Sequence, residues 1–195
     1  MPSSRLQRAL AVIDAANADD PNRITVRGAQ RPKELAHAEL VSDWVRRLDP
    51  DPSEALLLAA RAHHLRRWTI DRASYPAGRK GYLRWRRALH EQHASDVARI
   101  LEDIGYDPAM IERVQDLVRK RGLGKDPDVQ VLEDSLCLVF LETQRHDLAA
   151  RMQGDKMTEI LEKTAKKMSD RGLELALDLD LDATERRVLE EARRS

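Results

Sequence analysis

The chain has 195 residues, and its 34 Lys and Arg offset 34 Asp and Glu to a formal net charge of zero, which excludes a surface that attracts polyanions everywhere. With 42% apolar and 35% charged residues it is too hydrophobic to be disordered, and its longest apolar runs, Ala55 to Ala60 and Leu136 to Leu141, are six residues each, far short of the roughly 20 that cross a bilayer. The N-terminus turns polar by Asp14 without a secretion-type apolar core, and the single Cys137 permits neither an internal disulfide nor a CxxC zinc site, so a cytoplasmic protein with no membrane contact is expected.

Apolar residues recur at three and four, and no stretch sustains the period-two alternation of a half-buried strand. The pattern predicts an all-α, single compact multi-helix bundle over residues 1–195. In chain order, helices are expected from Arg5 to Ala18, Lys33 to Leu48, Ser53 to Trp68, Gly78 to Ile104, Ala109 to Arg121, Asp128 to Met152, Lys156 to Arg171 and Ala183 to Arg193. Asp51-Pro52, Asp107-Pro108 and Asp126-Pro127 each offer an N-cap followed by proline at the first helical position, and Arg31-Pro32 marks a fourth start. The segment LELALDLDLDA alternates briefly and reads as an extended, acidic surface arm.

Ionisable residues on the apolar faces need partners or a metal. His37 projects from the stripe of Leu40, Val41 and Trp44, and His64 shares a face with Leu57, Ala60 and Trp68, with His63 beside it over Leu56 and Ala59. His93 precedes Val97 and Ile100 by four and seven, with His90 one turn earlier. Asp134 precedes Leu138 and Leu141 in the same way, in the most apolar helix. Imidazoles and a carboxylate on facing helices suit a divalent transition metal, Mn, Fe, Zn or Ni. A single such histidine is more often a hydrogen-bonded core residue, and Asp134 alone could equally serve a buried arginine or a helix N-terminus. Their order carries the argument: 26 residues from His37 to His63, 29 from His64 to His93 and 41 more to Asp134.

That order resembles the HD phosphohydrolase superfamily over roughly residues 33–145, with the C-terminal helices from about 153 to 195 outside the HD-like core. The resemblance implies an all-helical fold in which His37, the His63-His64 pair and Asp134 hold a metal, with His93 as an extra ligand of two-metal members and His90 a weaker candidate. The pair here is His-His where that superfamily has His-Asp, which removes a bridging carboxylate. The blocks RPKELAHAELVSDWVRRL, ARAHHLRRWTIDRASYPAGRKGYLRWRRALHEQHA and LVRKRGLGKDPDVQVLEDSLCLVFLE also resemble an uncharacterised bacterial and fungal family carried as a domain of unknown function. That second resemblance implies no activity and ranks His64 above His63.

The neutral total conceals segregation. From Arg61 to Arg87 the chain carries net +8 and the remainder −8, and Trp68, Tyr75, Tyr82 and Trp85 lie in the same stretch. Arginine forks suit phosphate oxygens and aromatic faces suit bases or guanidinium groups, so Arg66, Arg67, Trp68, Arg79, Lys80, Tyr82 and Arg84 are candidate substrate contacts. Ordinary ion pairing of this stretch with the acidic remainder is the competing reading. SYPAGRKGY forms a tight turn without the Gly-Lys-Ser/Thr ending of a Walker A loop. Glu133 is a candidate acceptor that orients a ligand histidine, or a general base, Lys33 a candidate phosphate contact, Glu34 an ordinary terminal charge, Cys137 an inert buried thiol and His146 a surface residue. The expected activity is metal-dependent hydrolysis of a nucleotide or other small phosphorylated compound. The alternatives are a non-catalytic helical module that binds RNA or a nucleotide, and a di-iron oxygenase of HD type.

Overall fold

The computed structural model describes residues 4–26, 28–143 and 154–194. The architecture is all-α apart from one small hairpin. Helix α1 spans Ser4–Ala18, followed by strands β1, Arg23–Val26, and β2, Ala29–Pro32, paired antiparallel with Arg23 opposite Pro32. Then come α2, Lys33–Leu48; α3, Glu54–Ala62; two single turns of 3-10 helix, Arg67–Thr69 and Arg72–Ser74; and α4, Gly78–Ile104. Helices α5, Pro108–Val118; α6, Pro127–Thr143; α7, Gly154–Ala165; α8, Asp170–Leu177; and α9, Ala183–Arg193 complete it. No helix among the described residues is long and apolar enough to cross a membrane.

Local chemistry explains most of the ends. Asp107 and Asp126 cap α5 and α6 as the Asp-Pro dipeptides predict: Asp107 accepts from Met110 N at 3.0 Å, and Asp126 accepts from Asp128 N at 3.0 Å. At α3 the cap moves to Ser53, whose Oγ accepts from Leu56 N at 3.1 Å. Gly105 ends α4 with φ +89°, and Asp182 with Glu185 forms a capping box on α9. Helix α4 packs on α5, α2 on both α3 and α6, and α1 against α3 and α4; α6 meets α8, which joins α7 through α9. One contiguous apolar core runs from Leu6 to Leu189.

Four expectations are corrected. The hairpin is not among the expected elements; its strands are only four residues long, too short for the alternation of β1, with Ile24 and Val26 half-buried between exposed Arg23 and Thr25, to stand out as a sustained pattern. The third helix ends at Ala62 and does not reach Trp68, because Arg66 adopts φ +52° while its N–H donates to Asn17 Oδ1 at 3.2 Å. The first part of the expected arm, residues 173–177, is instead the end of helix α8, while residues 178–182 form the irregular connection to α9: Ser169 Oγ caps α8 at Gly172 N, 3.1 Å away, and Leu173, Leu175 and Ala176 are buried. A turn over residues 166–169 likewise divides the helix expected from Lys156 to Arg171. The sixth helix is described to Thr143; residues 144–152 of the expected span, and His146, lie outside the described residues.

Candidate metal centre

The site begins with how α2 starts. Asp20 Oδ2 accepts from the backbone N–H of Glu34 at 3.0 Å, and the N–H of Lys33 donates to Asn22 O at 2.9 Å. These bonds pin the first turn of α2 under the hairpin and turn Glu34 inward, where it is only 3% exposed. His37 lies one turn along the same face and is 2% exposed. The second contribution comes from the end of α3. Leu65 N donates to Ala62 O and Arg67 N to His64 O, so His63 and His64 sit on a turn rather than inside a helix.

Glu34 Oε2 stands 3.0 Å from His64 Nδ1 and 3.6 Å from His37 Nδ1. One ligand atom from each of these three residues lies within 4.8 Å of the others. The His63 ring packs on His64 at 4.2 Å between centroids, and the α4 residue His93 is 5.9 Å from His64. His63 Nδ1 donates to Ala60 O at 2.8 Å and His93 Nδ1 to Leu65 O at 2.7 Å. A carbonyl only accepts, so both Nδ1 atoms carry the proton and both Nε2 atoms carry lone pairs. Nε2 of His37 and Nε2 of His93 are buried without a hydrogen-bond partner among the described residues.

Electrostatics give the site the protonation state that a metal requires. Burial alone raises the Glu34 carboxyl, but the His64 and His37 rings reverse this and hold it well below the usual carboxylate range. Burial pushes His64 down to about 3 despite Glu34, and His93 to about 3 despite its bond to Leu65 O. Burial, helped by the neighbouring His64, also holds His63 well below its ordinary value. At neutral pH Glu34 is a carboxylate beside the neutral His64 ring, with neutral His63 and His93 next to it, the donor chemistry of a borderline divalent ion. Glu34, His37 and His64 therefore fit a metal, with an orphaned Nε2 on His37 in support.

A domain of unknown function (DUF4202) matches residues 7–189 of the chain. The protein belongs to this family. No curated protein and no solved structure matches it.

In this DUF4202 protein the remaining sequence candidates fall into three groups. Asp134 is not among the atoms gathered around Glu34. Its Oδ1 accepts from Ser169 N at 2.9 Å and Gln130 Nε2 at 3.0 Å, and its Oδ2 accepts from the Ser169 hydroxyl. Glu133 pairs with Lys120 and, at 3.6 Å, with Lys167. Cys137 is buried, and burial pushes its thiol up to about 12, as an inert thiol requires.

The basic stretch divides by function. Arg61 is bound to Asp14 through Nε and Nη2, and Arg72 donates to Tyr75 O and Pro76 O, so both are structural. Arg67 faces the site: its Nε is 3.9 Å from Glu34 Oε1, and its guanidinium lies 4.8 Å over the Trp85 ring. Trp68 is half-buried, as is Lys33 at the start of α2, whereas Arg66, Arg79, Lys80, Tyr82 and Arg84 are exposed on the turn after α3 and along the first half of α4. The residue missed in the sequence is Glu34. Its signal was available: Glu34 and His37 form a Glu-x-x-His pair, a spacing that places both donors on one helix face in metal-binding bundles.

Proposed function

We propose that this DUF4202 protein is a metal-dependent hydrolase of a small phosphorylated compound. The observation that carries the reading is the buried Glu34–His37–His64 group with Arg67 at its edge. Glu34, His37 and His64 would hold the ion, and the resemblance of the His37, His63-His64 order to the HD phosphohydrolases supports the same reading. Glu34 supplies the carboxylate that the His-His pair lacks. A divalent ion held there supplies a water of lowered pKa and a Lewis acid for a phosphoryl oxygen.

The chain's own residues do the rest. Arg67, braced on Trp85, presents a guanidinium to an anionic group arriving beside Glu34. His64, with 30% of its side chain exposed, is the member of the set that meets entering substrate. Carbonyl bonds to His63 and His93 fix their tautomers and keep their lone pairs turned away from those backbone acceptors. The test is metal analysis of protein purified without chelators, paired with phosphate release from a panel of phosphomonoesters and phosphodiesters. Stoichiometric metal that is lost in Glu34→Gln and His64→Ala, together with metal-dependent phosphate release, is the expected result. Absence of metal from the native protein sinks the proposal, and iron with an oxygen-responsive absorption band replaces it with oxygenase chemistry.

A further inference from the structure

A second site lies further along α4. Leu83, Arg86, Arg87 and His90, at i, i+3, i+4 and i+7, share one face of α4, and across from them stand Arg119 and Arg121 in the turn just after α5. Together they line a groove of about 380 Å³, within the size range of small-molecule sites. We propose that this groove binds a small compound that carries a chain of two or more phosphates. The proposal deepens the preceding one by naming a substrate class with at least two phosphates, and it rests on that reading only for the link to hydrolysis.

Charge is the first argument. Four guanidinium groups face one space from two elements, and the groove's own acid, Glu91, is already 2.9 Å from Arg119 Nε. Arg121 is held at 2.7 Å by Asp116. Arg86 and Arg87 form no ion pair among the described residues; Arg86 lies 6.0 Å over the Tyr82 ring, which is itself 43% exposed. The nearby Glu133 carboxylate is paired with Lys120 and Lys167. Forked donors on opposed walls suit phosphate oxygens.

Continuity with the metal centre is the second. His90 is one turn from His93 and lies in the field of Lys120, Arg86 and Arg67. Arg67 in turn reaches Glu34. Cationic side chains thus stand both in the groove and, through Arg67, beside Glu34. The cationic walls form a short clamp flanked by Glu91 and Asp116, whereas RNA binding uses a groove that follows many phosphates in file.

Calorimetric titration of chelator-treated, full-length protein with AMP, ADP and ATP tests this. Without metal present, the outcome is independent of whether a metal centre exists. Affinity is expected to rise with phosphate number, with ATP at least about tenfold tighter than AMP, and Arg87→Ala/Arg121→Ala should lose about tenfold or more for ATP. Arg187→Ala on α9 serves as the exposed control and should leave ATP affinity within about twofold. Equal affinity for AMP and ATP, or ATP binding unchanged in the double variant, overturns the proposal. So does tighter binding of a mixed-sequence oligoribonucleotide than of ATP, which would reassign the groove to RNA.

Discussion

Asp134→Ala separates a metal ligand from a structural clamp. In the fold this carboxylate, 1% exposed, receives the Ser169 N–H at 2.9 Å, the Ser169 hydroxyl and the Gln130 amide at 3.0 Å. Ser169 in turn caps α8 through Gly172 N, so the clamp secures the start of that helix. Truncation leaves a buried N–H unpaired and removes hydrogen bonds to a charged acceptor, each worth about 1–3 kcal/mol and not additive. An opposing effect reduces the loss: burial, with Glu133 alongside, raises the Asp134 carboxyl above its ordinary value, so ionisation itself costs stability here. The net loss is about 2–3 kcal/mol, and for a chain of this length each kcal/mol moves the midpoint by roughly 2–4 °C. Differential scanning calorimetry should therefore show Asp134→Ala melting about 4–12 °C lower, while elemental analysis shows its metal content unchanged from wild type. His37→Ala should do the reverse in metal content and lose the ion. If Asp134→Ala loses metal while its midpoint stays within about 1 °C, the assignment of Asp134 to the α8 cap is wrong and the HD-like ligand order is right.

The metal-free protein should be acid-labile. The folded His93 and His64 titrate near 3, the unfolded chain near 6.5, so below pH 6.5 only the unfolded state gains protons and stability falls as pH drops, by about 1.4 kcal/mol per pH unit per histidine until about pH 3. Urea midpoints should be flat from pH 8 to 7 and fall below 6.5, with a shallower slope in His93→Gln; an unchanged slope in that variant contradicts the account. Gly81→Ala would place a Cβ 1.8 Å from Pro76 O, which Arg72 already holds, so the turn before α4 must open at a cost of about 1–3 kcal/mol, measurable by thermal melting and faster proteolysis in the 70–80 segment. Gly172→Ala meets the Asp134 carboxyl carbon at 2.7 Å and should be destabilising, but less so when combined with Asp134→Ala; strict additivity of the two would show that they do not touch.

What the sequence revealed depended on whether a residue's setting was local. The bounds of α2, α4 and α9 agree with the expectation because their periodicity is long and their ends carry local signals: Pro32 before Lys33, Gly105 after Ile104, Asp182 with Glu185. The end of α3 did not, because it is set from a distance by the buried Asn17 side chain, which takes the Arg66 N–H and forces a left-handed backbone there. Helix α8 was hidden for the same reason: its alternation resembles a strand until Ser169 and Asp134 supply the cap.

The site shows the same division at the level of single side chains. An apolar face indicates that a polar residue is buried but not what covers it. For His37, His63, His64 and His93 the covering elements are one another and Glu34; for Asp134 the cover is the start of α8. Both environments satisfy the same periodic pattern, and only tertiary packing distinguishes a donor facing other donors from a carboxylate facing backbone N–H groups. Glu34 presents the converse case. A glutamate in the first helical turn is ordinarily a solvated partner of the helix dipole. Here the hairpin and Asp20 fix the helix entry so that the same first-turn position points inward, and with Glu34 buried, ionised and next to two imidazoles, its replacement by Gln should remove the negative charge that draws a cation to this centre while leaving the fold's shape in place.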